Sequence, residues 1–215
     1  MALGLPCGAC RVHSVAMRVT GGCLRGRRIH VPRRRVRPSQ DRVREALFSI
    51  LAARVDGCRF LDLFAGSGAV GIEAWSRGAS EVVWVEQDAG VLTVLRRNVT
   101  ELCGLDAAPH VVCGRVPALL KRGKVSGAFD LIFADPPYRD GAAPGVVDGI
   151  LGAVREATLL AAGGTVVIEV PEGGPVPSSA GWQCDRERRY GTTRLLFYER
   201  ESGAAFLGHA DVEND

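Results

Sequence analysis

Short apolar runs alternate with helical patterns through most of this chain. Five runs have the length and composition of buried strands, at 59–64, 81–85, 110–113, 129–134 and 165–170. Segments with apolar residues at helical spacing lie between them, one ending near residue 77 and others covering 88–103, 116–121 and 146–160. This order predicts an α/β fold in which helices cover both faces of a mostly parallel sheet. Ligands of such sheets bind at the carboxyl ends of the strands.

The pattern changes at the end of this alternating region. Two extended runs, 182–189 and 194–200, flank Tyr190-Gly191-Thr192 with no helix between them. They predict an antiparallel hairpin that brings the sheet to seven strands, with an antiparallel last strand. We expect one main domain over 58–200, followed by a disordered tail over 201–215.

The segment before the main domain has a different character. Residues 17–31 contain two short extended runs around glycines, which predicts a hairpin or bulged arm, flexible and basic. Residues 41–53 have the spacing of an amphipathic helix. We expect a small basic N-terminal arm and helix over 18–57, with a disordered tail over 1–17.

Positive charge is concentrated in this arm. The chain has a net charge of +3, yet residues 18–44 hold ten Arg and one Asp, so the rest of the chain carries −6. Only two residues are Lys, so the use of Arg can reflect genome base composition, but its clustering points to phosphate and hence to nucleic acid. The candidate RNA contacts are Arg25, Arg27, Arg33, Arg34, Arg35, Arg37, Arg42 and Arg44.

Several classes of protein fit the sequence poorly. No run approaches the roughly 20 apolar residues of a membrane-spanning helix, so we expect a cytoplasmic protein. The 7 Cys are an odd number, which favours reduced thiols over a disulfide framework. Cys7, Cys10 and His13 resemble half of a zinc site, but no second pair of ligands follows, and we expect no metal.

A glycine-rich turn follows the first strand and precedes a helix. Gly66, Gly68 and Gly71 fit the Gly-x-Gly-x-x-Gly spacing of dinucleotide-binding folds, so that class stays open. Asp62, just before the turn, would repel a pyrophosphate but could bind the ammonium group of a methionine moiety. Glu86, at the end of the second strand, is placed to accept both ribose hydroxyls of either cofactor.

A second turn, Asp135-Pro136-Pro137-Tyr138, directly follows the strand at 129–134. Its two prolines make it rigid, so the Asp135 carboxylate and the Pro136 carbonyl can accept two hydrogen bonds from one exocyclic amino group. Those bonds draw the nitrogen out of conjugation and aim its lone pair, while Tyr138 offers a face on which the base can stack. This turn predicts methylation of a nucleobase amine.

Together these motifs resemble the bacterial 16S rRNA (guanine-N2) methyltransferase D family. The matching segments are 18–22 with 25–27, 37–48, 62–68, Glu86, 135–138 and 190–192, and they span residues 18–200 in the family's order. The resemblance implies a Rossmann-like class I methyltransferase that uses S-adenosylmethionine (SAM) and modifies guanine N2 in small-subunit rRNA or an assembling subunit. In-line transfer to the nitrogen needs alignment rather than a metal or a covalent intermediate. We expect a monomer.

The resemblance also implies the site residues. The cofactor set comprises Asp62, Phe64, Ala65, Gly66, Ser67, Gly68, Glu86, Gly114, Arg115 and Asp135, and the catalytic turn is Asp135 to Tyr138. Tyr138 and Tyr190 join the arginines as substrate contacts. The chain departs from the family at Cys113-Gly114-Arg115, which lacks the usual Asp or Asn for the adenine amino group, so backbone groups are expected to bind it.

Three alternatives remain open on sequence alone. An N6-adenine DNA methyltransferase would use the same turn, but we expect 215 residues to leave no room for its target-recognition domain. An RNA-binding or assembly factor without turnover would not require the intact Asp135 and Tyr138. A nicotinamide-dependent dehydrogenase would share the glycine turn.

Overall fold

The computed structural model describes residues 17–31, 39–138 and 143–201, and its centre is one seven-stranded sheet. The strands are β1 (Arg59–Leu63), β2 (Glu81–Glu86), β3 (Val111–Cys113), β4 (Phe129–Ala134), β5 (Leu160–Pro171), β6 (Trp182–Tyr190) and β7 (Thr193–Arg200). Their order across the sheet is β3-β2-β1-β4-β5-β7-β6, in which β7 runs antiparallel to both of its neighbours and the other pairings are parallel. The predicted mostly parallel sheet with an antiparallel last strand is confirmed.

Helices cover both faces of the sheet. They are α1 (Ser39–Ile50), α2 (Ala52–Val55), α3 (Ala69–Ser76), α4 (Ala89–Cys103), α5 (Val116–Lys121) and α6 (Ala143–Glu156), with a 3₁₀ helix over Leu105–His110. One core cluster packs α1, α3 and α4 against the sheet through side chains such as Phe48, Ile72 and Leu95. A second cluster packs α5 and α6 through Leu120 and Leu151 on the opposite face. The central strand β1 has apolar residues in both clusters, which explains its nearly continuous apolar sequence.

The predicted boundary between α6 and β5 is wrong. The sequence pattern extended a helix over 146–160, but α6 ends at Glu156 and Leu160 already begins β5. Thr158 adopts a left-handed conformation with φ of 53°, which reverses the chain there, and the Phe129 N–H donates to the Leu159 carbonyl at 2.7 Å. Apolar residues lie on both sides of this reversal. Their spacing in the sequence resembles that of one continuous helix, so the sequence pattern does not show where α6 ends.

The N-terminal arm is a hairpin packed onto the core. Val19 N–H donates to the Arg27 carbonyl at 3.0 Å, and Ile29 N–H donates to the Met17 carbonyl at 2.9 Å. Met17, Val19 and Ile29 are buried in the cluster that contains α1, α3 and α4. The arm, expected as a flexible appendage, is attached through 17–31 because these apolar side chains have a surface to cover.

The helices of the described ranges give no candidate for a membrane span, since none is both long and apolar enough. The predicted tails lie outside the described residues, except for Met17 and Glu201.

Candidate functional site

A cavity of about 740 Å³ lies at the carboxyl ends of β1, β2, β4 and β5. Its floor is the strand ends and the turns that follow them, and α1 and the start of the arm form the other wall. The lining residues are Met17, Val43, Arg44, Leu47, Asp62, Phe64, Ala65, Gly66, Ser67, Ala69, Val70, Glu86, Gln87, Asp88, Gly90, Val91, Phe133, Asp135, Pro137 and Glu169. The cavity therefore unites most of the predicted cofactor residues with the Asp135 turn.

The glycine turn after β1 has the backbone conformation that its sequence predicts. Gly66 and Gly68 have φ of 57° and 82°, and Phe64 adopts φ of 62°, a conformation uncommon outside glycine. Gly68 caps α3 without lining the cavity. A Cβ on Gly71 would lie 2.1 Å from Nε1 of Trp84, so this third glycine serves the packing of α3 on the sheet.

Asp62 is enclosed at the end of β1. Its side chain is 1% exposed, and Oδ2 accepts a hydrogen bond of 2.9 Å from the Gly71 N–H in the first turn of α3. Burial, with further contributions from the nearby Asp135 and Glu86 carboxylates, raises the pKa of Asp62 to about 8. A cation bound beside this carboxylate would favour its charged form.

Glu86 connects the turns after β1 and β2. One carboxylate oxygen accepts the Gly66 N–H at 2.9 Å, and the other accepts the N–H groups of Gln87 and Asp88 at 2.7 and 2.9 Å. A carboxylate offers about four acceptor positions, so at least one remains for a ribose hydroxyl. Three N–H groups already bind the Glu86 carboxylate. It could therefore accept both ribose hydroxyls, as predicted, only if one acceptor position bound two donors.

The Asp-Pro-Pro-Tyr turn lies across the end of β4. Asp135 and Pro137 line the cavity, whereas Pro136 is buried beneath the turn. Tyr138 is half-buried, and its Oη donates a hydrogen bond of 2.8 Å to the Glu169 carbonyl on β5. Burial raises the pKa of the Tyr138 hydroxyl above its usual value, so Tyr138 stays a neutral donor that ties the turn to the neighbouring strand.

Two predicted cofactor residues, Gly114 and Arg115, do not line the cavity within the described ranges. Gly114 N–H donates to the Glu86 carbonyl at 3.0 Å, and a Cβ there would lie 2.4 Å from Leu119 Cδ1. Gly114 therefore allows close packing of α5, and Arg115 directly precedes that helix. Their predicted contact with adenine stays a prediction.

The predicted RNA-binding arginines fall into three groups, and Tyr190 is described separately. Arg25, Arg27 and Arg42 are exposed, whereas Arg44 is 3% exposed and faces the cavity, which corrects its assignment to the RNA surface. Tyr190 is partly buried at the end of β6 and packs against the core. The remaining four, Arg33, Arg34, Arg35 and Arg37, lie outside the described residues.

Sequence reasoning missed three charged residues of the cavity, Arg44, Asp88 and Glu169. Glu169 is an acid within the otherwise apolar carboxyl half of β5, which is a signal that could have found it. Arg44 belongs to the basic segment, and its sequence gave no sign that its helix closes the cavity. Within the described residues no group of three or more His, Cys, Asp or Glu side chains is arranged to hold a metal ion.

Solved structures share this fold. A putative methyltransferase from Escherichia coli matches with a TM-score of 0.72 and 30% identity, over 87% of this chain and 99% of that one. The magnesium protoporphyrin IX methyltransferase of Synechocystis, solved with bound SAM, matches with a TM-score of 0.57 and 13% identity over 76% of this chain and 80% of that one. The fold is that of the class I, SAM-dependent methyltransferases.

Relatives in sequence narrow this class. A family model described as Conserved hypothetical protein 95 matches residues 17–199. Ribosomal RNA small subunit methyltransferase D of Escherichia coli is 32% identical over 188 residues, which are 86% of this chain and 91% of that protein. A putative rRNA methyltransferase of Bacillus subtilis is 32% identical over 189 residues, 86% and 99% of the two chains. The chain belongs to the ribosomal RNA small subunit methyltransferase D family, which excludes the dehydrogenase alternative.

Proposed function

We propose that this protein transfers the methyl group of SAM to the exocyclic N2 of a guanine in small-subunit rRNA. The observation that carries the proposal is the position of Asp135 and its rigid proline turn in the cavity that also contains Asp62 and Glu86. An amine acceptor site and a cofactor site thereby adjoin. The rRNA substrate is supported by the names of the relatives.

The cavity suits SAM in charge as well as position. Its lining carries the acidic residues Asp62, Glu86, Asp88, Asp135 and Glu169. SAM supplies a methyl group on a positively charged sulfonium, and it carries a second positive charge on its ammonium group. Such a ligand offsets the mutual repulsion of buried carboxylates.

The residues of the turn would align the amine for transfer. The Asp135 carboxylate and the Pro136 carbonyl would each accept one N–H of the target amino group, which directs the nitrogen lone pair toward the methyl carbon. As the new N–C bond forms, the bond between the methyl carbon and the sulfonium breaks and S-adenosylhomocysteine leaves. The positive charge passes to the nitrogen, where Asp135 would stabilise it until the nitrogen loses a proton. The hydrogen bond from Tyr138 to the Glu169 carbonyl holds the turn in register with β5.

Glu169 favours guanine over adenine as the target. Ile168 pairs with Ala134 in the parallel ladder, so Glu169 and Asp135 follow at neighbouring strand ends, and both line the cavity. Guanine carries an N1–H donor beside its N2 amino group, and a carboxylate can accept a hydrogen bond from this N1–H. Adenine N1 carries no proton and is itself an acceptor, so it cannot bind a carboxylate in the same way. Two carboxylates at adjacent strand ends thus match the adjoining N1–H and N2 amino group of guanine.

Transfer of tritiated methyl from SAM tests the proposal. The acceptors are small-subunit rRNA and assembling subunits from cells that lack the gene, and the labelled product is digested to nucleosides. We expect the label in N2-methylguanosine. Label in N6-methyladenosine would contradict the guanine assignment, and binding of RNA without transfer would identify a non-catalytic factor.

A further inference from the structure

Arg44 is a buried cation in an acidic cavity. It lies in the second turn of α1, is 3% exposed, and is the sole basic residue among the described lining residues. One terminal nitrogen of its guanidinium lies 3.1 Å from Asp41 Oδ1 and also donates to the Arg18 carbonyl. Its Nε is buried without a hydrogen-bond partner, 3.4 Å from Glu73 Oε2. Burying a guanidinium with an unsatisfied donor is costly, so its retention here suggests a ligand.

Pairing with Glu73 does not satisfy every donor of Arg44. The Glu73 carboxylate is fully buried and accepts the Thr20 N–H and hydroxyl at 2.8 and 2.7 Å and the Arg77 Nε at 2.9 Å. Both of its oxygens are therefore hydrogen-bonded by Thr20 and Arg77, and its charge is shared between Arg77 and Arg44. The guanidinium of Arg44 carries donors in excess of what its protein neighbours accept.

Helix α3 contacts both Asp62 and Arg44. The Gly71 N–H binds the Asp62 carboxylate, and Glu73, two residues further along the same helix, lies against the Arg44 guanidinium. An amino-acid moiety bears its ammonium and its carboxylate on the same carbon. A site for it needs an acidic and a basic group that face the same cavity, and Asp62 and Arg44 both line this one.

We propose that Arg44 binds the carboxylate of the methionine moiety of SAM, with Asp62 on the ammonium side of the same moiety. The inference rests on the SAM site of the proposed function and assigns α1 a part in cofactor recognition. A guanidinium can form two parallel hydrogen bonds with a carboxylate, and Arg44 has donors available for them.

Binding calorimetry without RNA tests this role with two ligands, SAM and decarboxylated SAM, which lacks the carboxylate but keeps the sulfonium and an ammonium. Arg44→Gln should weaken SAM binding by about 10- to 100-fold. Its affinity for decarboxylated SAM should stay within about threefold of wild type or rise, because the variant loses no contact with that ligand. Arg77→Gln is the matched control, since it removes the other arginine of Glu73 and leaves the cavity lining intact. It should leave both affinities unchanged.

An equal loss of affinity for both ligands in Arg44→Gln would overturn the proposal, because it would indicate a role in folding alone. If Arg44→Gln does not fold by circular dichroism, Arg44→Lys replaces it, with the same preferential loss for SAM expected because lysine cannot form the paired hydrogen bonds. Absence of SAM binding by the wild-type protein would overturn the proposed function itself. A protein that binds SAM through Arg44 but modifies another RNA would leave this inference standing.

Discussion

At the scale of single residues, Asp135 is the most direct link between geometry and chemistry. Asp135→Ala should lower the rate of methyl transfer by about 10²–10³, because a well-placed acceptor at the amine is lost. The dissociation constant of SAM should change by less than about threefold, since the carboxylate acts on the base. Single-turnover transfer and calorimetry measure the two effects separately. Transfer at the wild-type rate would contradict the role of Asp135.

The raised pKa of Asp62 predicts that cofactor binding depends on pH. Below its pKa of about 8 this carboxyl is mostly protonated in the free protein, and bound ammonium favours the ionised form, so binding releases a proton. Affinity for SAM should therefore rise with pH from 5.5 to 6.5, by up to about tenfold per unit, below the range in which an α-amino group itself loses its proton.

Calorimetry over this range, in buffers of different ionisation enthalpy, counts the released protons. Asp62→Asn is the control, because it keeps an acceptor for the Gly71 N–H but does not titrate. It should bind SAM more weakly and without this pH dependence. A flat profile for the wild-type protein would show that Asp62 does not face the ammonium group.

Glu169 provides a test of base selection. Replacing the target guanine by 2-aminopurine keeps the exocyclic amine and removes the N1–H. The wild-type kcat/KM should fall by roughly 10²-fold, because the Glu169 carboxylate and the unprotonated N1 are both hydrogen-bond acceptors. The amide in Glu169→Gln can donate a hydrogen bond to the unprotonated N1. We therefore expect the ratio of kcat/KM for guanine to that for 2-aminopurine to be about tenfold smaller in this variant. Glu156→Gln, an exposed carboxylate on α6 outside the cavity, should keep the wild-type preference. An unchanged preference in Glu169→Gln would remove Glu169 from base recognition.

The candidate site was predictable where one turn contains both the residue and its geometry. Asp62 and Asp135 stand at strand ends beside sequence-readable turns, and both line the cavity. Arg44 was assigned to the RNA surface because its burial depends on how α1 packs over the strand ends, a contact between elements that local sequence does not specify. Glu169 was missed because its neighbour in the sheet is more than 30 residues away in the chain.

At the scale of secondary structure, the packed hairpin presents charge at its turn. Arg25 and Arg27 are exposed there, while Met17, Val19 and Ile29 fix the hairpin to the core. We therefore expect the turn to contact RNA phosphates in a defined position. This part of the arm is rigid enough to position a substrate as well as attract it.

Neutralising Arg25 and Arg27 together should weaken RNA binding and reduce the log–log salt slope by up to about two units, because each phosphate contact releases close to one counterion. SAM binding should be unaffected. Arg122 and Lys124, two exposed cations after α5, give a control with the same change in net charge. Equal effects of the two double variants would show that overall charge, and no particular surface, attracts RNA. The same substitution at Arg33, Arg34 and Arg35 extends the test to the rest of the basic segment.

Elements were most predictable where burial alone determines the pattern. The apolar strands β2 and β4 were recognised within one residue of their observed ends because both faces are covered. The start of β5 was missed, since its first residues pair with β4 before a shift in register and their pattern joins smoothly to α6. The packing of the hairpin was also missed, because its three buried residues are spread among arginines.

At the scale of the whole molecule, acidic and basic residues occupy different parts of the protein. The strand ends and their acidic turns form the proposed cofactor and base site. Helix α1 and the start of the hairpin line its other side, and this part of the chain carries the basic residues. Glu73 joins the two parts, because it is buried on α3 and accepts hydrogen bonds from Thr20 of the hairpin. This arrangement places the surface that we propose binds RNA next to the cavity that contains Asp135.

The central claim is that this protein methylates guanine N2 in small-subunit rRNA. Mass spectrometry of rRNA nucleosides tests it most directly, in cells with the gene, without it, and complemented with the wild-type or the Asp135→Ala gene. N2-methylguanosine in small-subunit rRNA should fall by one residue per molecule on deletion and return only with the wild-type gene. An unchanged level of N2-methylguanosine on deletion, or full restoration by Asp135→Ala, would contradict it.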